Sequence, residues 1–185
     1  MKVQLGLKGM SEDSWHDHHR GIGDGVIAAV SVGLFFILVG VVVVTNSNFW
    51  SNLQDFFNHF TVANVTNTQT QLPVPAVPAA HTAVYTAAFQ FALGMAALQV
   101  LILAMRLTLG SRLRRTAETI GNLVFWSGTA YFLNWLSEMK STLSISQQQQ
   151  LWFEFWAIIL ILIGVSIVAR GLTVIAGRAV RKSRS

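Results

Sequence analysis

The stretch VIAAVSVGLFFILVGVVVVT, residues Val26–Thr45, decides the fold of this chain. Its twenty residues include no charged side chain. An α-helix rises about 1.5 Å per residue, so a segment of this length crosses the roughly 30 Å hydrocarbon core of a bilayer. A signal peptide is the alternative, but the segment is longer than a signal h-region and no small-residue cleavage site follows in TNSNFW. We therefore interpret it as a retained transmembrane helix.

Three more apolar segments follow, and they indicate three further spans. Together the predicted spans cover about residues 26–45, 83–105, 120–136 and 151–170. The third is short and contains Asn122 and Asn134, so we expect it to pack inside the bundle. Only 11% of the residues are charged, against about 25% in soluble domains. Because backbone groups must pair within each segment in lipid, the predicted fold class is an all-α integral membrane protein, a four-transmembrane-helix bundle.

The distribution of Lys and Arg predicts the orientation of these helices. Basic residues precede the first span, fill the loop between the second and third, and follow the fourth, whereas none lies between Arg20 and Arg106. The positive-inside rule then makes both termini cytoplasmic, in a protein of the plasma membrane. The predicted parts are a cytoplasmic segment 1–25, a transmembrane domain 26–177 and a basic tail 178–185. The basic loop and tail are expected to contact anionic lipid head groups rather than nucleic acid.

The first outer loop, residues 46–82, is predicted to begin with an amphipathic helix at about 48–61. Its apolar residues fall on one face at 100° per residue, and we expect this interfacial docking face to lie in the outer membrane interface or pack on the bundle. The face comprises Phe49, Trp50, Leu53, Phe56, Phe57 and Phe60. Further along, Pro73, Pro75 and Pro78 favour extended backbone, as in a crossing loop or a lid. Ser146 and Gln149 fit a capping box that opens the fourth span.

Small residues recur every four positions where the first helix begins, in RGIGDGVIAAVSVG. They are Gly21, Gly25, Ala29 and Gly33. A dinucleotide-binding loop is excluded because the third glycine of GIGDG comes one residue too early and no apolar strand precedes it. Such a stripe lets two helix backbones approach closely in lipid. We therefore predict helix packing there, either within the chain or between copies.

Few residues are candidates for a metal site or an ion site. His16, His18 and His19 are weak candidates for a transition-metal site that another subunit would complete, and a solvated lead-in is the plainer interpretation. His59 and His81 are predicted on the other side of the membrane. Glu154 lies roughly 4.5 Å beyond Leu151 along the helix, so it reaches water, pairs with Lys140, or forms an ion site at an outer mouth.

These observations predict a protein that is not an enzyme. No Cys is present, and no predicted span contains the His or Lys that a haem or a retinal Schiff base would require, so no cofactor and no catalytic residue are predicted. The expected function is that of a structural or accessory membrane subunit, acting through helix–helix association as a homo-oligomer or with other membrane subunits. The alternative is a homo-oligomeric channel or transporter whose pore lies between copies.

Overall fold

A computed structural model describes residues 12–65, 68–108, 113–139 and 141–182, without the side chains of residues 12–24, 178 and 180–182. The described chain is mostly helical. Its elements, in chain order, are α1 (Glu12–Thr45), α2 (Phe49–Asn58), β1 (Phe60–Asn64), β2 (Gln71–Pro75), a 3-10 turn (Pro78–His81), α3 (Thr82–Thr108), α4 (Leu113–Ser137) and α5 (Ile145–Lys182). The four long helices contain the four predicted spans.

Three helical stretches of the described chain are long and apolar enough to cross a membrane, which indicates a membrane protein. They are Gly25–Thr45, Pro78–Thr108 and Ile145–Gly177. The expected fourth span is not among them. Helix α4 begins with LRRTAE, whose charged side chains lower its hydropathy, and it continues with the polar residues Asn122 and Asn134.

The long helices pack in chain order, with α3 against both α1 and α4, and α4 against α5. Two contacts illustrate how glycines permit this close approach. Leu38 of α1 lies against Gly94 of α3, and Leu162 of α5 lies against Gly128 of α4. A side chain at either glycine would collide with that leucine. Helix α1 therefore packs at one side of the arrangement, with α3 as its main neighbour.

The end of the bundle that carries α2 and the two strands, here called the hairpin end, holds the larger part of the core. Phe56, Tyr85 and Trp152 bring side chains from α2, α3 and α5 together there. Their rings make edge contacts, with centroids 6.0 Å apart for Phe56 and Tyr85 and 5.9 Å apart for Phe56 and Trp152. Towards the opposite end a smaller cluster joins Ile27 to Leu98 and Ile102.

The first loop contains a helix and a hairpin. The amphipathic helix predicted at 48–61 is present as Phe49–Asn58, and Phe60 belongs to β1 instead. The expected crossing loop is an antiparallel β-hairpin, with Phe60 opposite Pro75 and Asn64 opposite Gln71. The fold is therefore not purely all-α. The prolines of β2 favour extended backbone, as predicted, but pairing with β1 converts that backbone into a strand.

The capping box of α5 lies two residues before the predicted position, because α5 begins at Ile145. The backbone N–H of Ser144 donates to the Gln147 side chain at 3.0 Å, and the Gln147 N–H donates to the Ser144 hydroxyl at 3.4 Å. The prediction of Ser146 and Gln149 was therefore wrong in register. Both pairs have the required spacing, so spacing alone did not distinguish them.

Candidate functional site

The small-residue stripe of α1 faces away from the rest of the described chain. Gly25, Ala29 and Gly33 are exposed, and no atom of another described element lies within 4 Å of a Cβ position at either glycine. The opposite side of the helix contacts α3, and Ile27 and Val42 are buried there. The expected close packing is therefore not made within the described chain. The structure does not describe the surroundings of Gly21.

The predicted interfacial docking face is divided between the core and the surface. Phe56 is only 7% exposed and packs inside the hairpin end, whereas Trp50 and Phe57 are 68% and 65% exposed. Phe49 and Leu53 are partly buried, and with Trp50 they line an apolar groove between α1, α2 and α3. Helix α2 thus contacts the bundle through one side of its aromatic face and leaves the other side uncovered.

Glu154 is exposed at the hairpin end of α5. Its carboxylate accepts a hydrogen bond from the Gln150 side-chain amide at 3.1 Å. The proposed partner Lys140 lies outside the described residues, as do the side chains of the metal candidates His16, His18 and His19. In the structure, Glu154 is therefore hydrogen-bonded to an amide side chain. The positions of the N-terminal histidine side chains are not described.

A cluster that the sequence analysis missed lies at the hairpin end, where Asp55, His59 and His81 meet. Asp55 lies on α2, His59 directly follows that helix, and His81 ends the 3-10 turn. The His59 Nδ1 atom is 3.1 Å from one oxygen of the Asp55 carboxylate, and the His81 Nδ1 atom is 3.5 Å from the other. One possible ligand atom from each of the three side chains lies within 4.8 Å of the others.

The three side chains of this cluster differ in exposure. His81 is 5% exposed, and its ring lies edge-on to the Phe56 ring with centroids 5.4 Å apart. The side chains of Asp55 and His59 are 57% and 60% exposed. The cluster therefore has one buried imidazole, which the core holds in place, and two groups that solvent reaches.

Part of this cluster was visible in the sequence. Asp55 and His59 are four residues apart, a spacing that puts two side chains on the same face of a helix. His81 joins them only because the hairpin returns the chain to α2, with the Ala76 backbone N–H donating to the His59 carbonyl at 2.8 Å. That return depends on pairing between distant residues, and the pattern of apolar residues does not reveal it.

Comparisons with known proteins add no family to this description. No protein-family model matches the chain, and no curated protein or solved structure matches it. Any role for the outward-facing stripe of α1 or for the Asp–His–His cluster of the hairpin end therefore has to be argued from the chemistry and geometry of the residues themselves.

Proposed function

We propose that the protein is a non-catalytic integral membrane subunit that associates with a second copy of itself through α1. The observation that carries this proposal is the uncovered stripe of Gly25, Ala29 and Gly33 on an apolar helix. In lipid, the hydrophobic effect does not drive helices together, so close backbone approach at small residues supplies much of their association. An open face of small residues on a span is suited to that contact.

The proposed arrangement in the membrane has four spanning helices and both termini in the cytoplasm. Helix α4 is the fourth span, and its polar residues are tolerated because α3 and α5 pack against it. Helix α2 lies in the outer interface, with Trp50 and Phe57 facing the head groups. The basic loop and the basic tail contact anionic lipids on the inner side.

A second copy is the preferred occupant because such a stripe is complementary to itself. In a two-fold symmetric contact the same patch of both subunits meets, and a shallow face of small residues fits against its own copy. Between Val26 and Val44 the other exposed side chains of α1 are apolar, and they include Val32, Phe36 and Val44. No charge opposes such a pairing along the described side chains of the span.

The test compares two pairs of glycines in the full chain. Gly25→Leu with Gly33→Leu fills the stripe of α1, and Gly164→Leu with Gly171→Leu is the matched control on α5, where the glycines are also open. We expect the wild type and the control to be dimeric or larger in lipid nanodiscs by mass measurement. The α1 variant should be monomeric, with an unfolding temperature no lower than that of the wild-type monomer in excess detergent.

A wild type that is monomeric and carries no other chain would contradict the proposal. Unchanged assembly of the α1 variant would contradict it equally, since the stripe would then face lipid. If both variants lose assembly together, the contact does not use the α1 face specifically, and the proposal also fails.

A channel between copies is the second candidate, and the exposed carboxylate of Glu154 favours it. An acidic residue near the end of a span can attract cations to a pore mouth. Here the expected result is cation flux in reconstituted vesicles that falls with Glu154→Gln and persists with Glu118→Gln, an exposed carboxylate of α4. Negligible flux in the wild type, or equal flux in the two variants, would exclude this role for Glu154.

A further inference from the structure

We propose that Asp55, His59 and His81 bind a divalent transition-metal ion of the Zn²⁺ type at the hairpin end. Two imidazoles and one carboxylate are a common ligand set for zinc when one coordination position is left to water. The site is independent of the stripe on α1, so it does not rest on the proposed association of copies.

The separation of the ligand atoms suits a small ion. Zinc bonds of about 2.0–2.1 Å in tetrahedral geometry put neighbouring ligand atoms roughly 3.3 Å apart. The two nitrogen-to-carboxylate distances here, 3.1 and 3.5 Å, are close to that value, although they end on different oxygens of Asp55. One ligand atom from each of the three side chains lies within 4.8 Å of the others, so the side chains move closer together when they surround an ion. Because Asp55 lies between the two histidines, small rotations of exposed side chains bring all three ligands around one point.

The backbone just before His81 is held by hydrogen bonds from the start of α5. The Gln148 side chain accepts from the Ala79 N–H at 3.0 Å and donates to the Leu143 carbonyl at 2.9 Å. The Gln149 side chain donates to the Ala76 carbonyl at 3.4 Å. Helix α5 thereby fixes the 3-10 turn that ends in His81, so the buried ligand is positioned before any ion arrives.

The ligand types select the class of ion. Calcium and magnesium prefer oxygen ligands, and only one of these three side chains supplies oxygen. Soft ions such as Cu⁺ prefer sulfur, and none of these three side chains supplies it. Imidazole nitrogen with one carboxylate suits Zn²⁺ and its neighbours in the first transition row.

A metal-free hydrogen-bonded cluster is the competing interpretation, and the structure contains one observation in its favour. The His59 Nδ1 atom lies 2.8 Å from the Asp55 backbone carbonyl, so a protonated Nδ1 would donate to it. A metal at this nitrogen replaces that hydrogen bond, whereas a metal at Nε2 keeps it. The exposure of His59 leaves room for either arrangement.

The experiment titrates the full chain in detergent with Zn²⁺ alone after removal of metals by a chelator. We expect one ion per chain, and Co²⁺ in its place should give the visible absorption of a four-coordinate site. Asp55→Asn and His59→Gln alter the two exposed ligands and should weaken binding at least about tenfold, since even changes outside the ligand shell cost that much. His81→Gln is kept as a third variant, because a buried change can also disturb folding.

The matched control removes the other histidine cluster, through His16→Gln, His18→Gln and His19→Gln in one chain. This variant should bind zinc as the wild type does, and it should show the same increase in unfolding temperature when zinc is added. Zinc binding that persists in Asp55→Asn and His59→Gln would overturn the proposal. So would binding lost only in the N-terminal variant, or an absence of stoichiometric binding by the wild type.

Discussion

The helix glycines whose surroundings the structure describes form two groups that differ in what lies beside them. Gly94, Gly121, Gly128 and Gly177 are each covered by a side chain of a neighbouring helix, from Leu38, Arg170, Leu162 and Leu113 respectively. Gly25, Gly33, Gly40, Gly164 and Gly171 have no atom of another described element within 4 Å. The covered group sits at contacts between helices, whereas the open group lies on α1 and α5.

The difference shows that one residue type serves two purposes here. A covered glycine removes volume so that a leucine or arginine from the next helix can approach the backbone. An open glycine makes no such contact with the described residues, and it lowers helix stability relative to Ala by roughly 1 kcal/mol. On the stripe of α1, the proposed contact with a second copy would compensate that cost.

The largest effect is expected from filling a covered glycine. Gly128→Leu forces a side chain into the space of Leu162, and overpacking of this kind destabilises by about 3 kcal/mol. Unfolding in detergent, followed by circular dichroism, measures the free energy of unfolding. Gly164→Leu is the control on the same pair of helices, and equal stability of the two variants would show that α4 and α5 are not in close contact.

An intermediate effect is expected where a covered glycine admits a charged side chain. Arg170 passes over Gly121, and its guanidinium donates to the Asn122 side-chain carbonyl at 2.7 Å. Asn122→Leu removes that acceptor and should cost about 2 kcal/mol in the free energy of unfolding, as for other hydrogen bonds to charged groups.

The control for this measurement is the exposed ion pair of Arg114 and Glu118, in which the Arg114 Nε atom is 3.6 Å from the Glu118 Oε1 atom. Arg114→Ala should change the free energy of unfolding by less than about 0.5 kcal/mol, because exposed ion pairs contribute little. A loss for Asn122→Leu no larger than that of this control would show that the Arg170 contact does not stabilise the fold.

The smallest effect is expected at Gly40, an open glycine of α1 that lies about two turns beyond Gly33 on the same face. Gly40→Leu meets no neighbour in the described chain, and leucine favours helix over glycine. The free energy of unfolding of the monomer in excess detergent should stay equal or rise by up to about 1 kcal/mol. A decrease of 2 kcal/mol or more in the free energy of unfolding would mean that α1 packs more closely than the structure indicates. Gly40 would then belong with the covered glycines.

Local features of the fold could be predicted from the sequence because they depend on neighbouring residues. The apolar run Val26–Thr45 lies within α1, and the aromatic spacing after Phe49 correctly indicated an amphipathic helix. The hairpin between Phe60 and Pro75 was missed, since proline-rich extended backbone looks the same whether or not it pairs. Hydropathy also could not show that α4, with its charged first turns, packs between two apolar helices.

Contacts between distant residues account for the other differences. The stripe of α1 was recognised, but which side of the helix meets α3 depends on partners such as Leu38 and Gly94 that spacing does not identify. The same reason separates the predicted histidines from the observed cluster. Asp55 and His59 are only four residues apart at the end of α2, but His81 reaches them through a turn that α5 holds in place.

The hydrogen bonds from Gln148 and Gln149 to the segment before α3 impose an order on biosynthesis. Gln148 follows its partner Ala79 by 69 residues, so the partner is made long before the glutamine exists. While the ribosome is still producing α4, the segment after the hairpin lacks the side chains that secure it. The first loop can therefore reach its final form only after the start of α5 has left the ribosome. In a chain truncated before α5, that loop would lack the hydrogen bonds from Gln148 and Gln149.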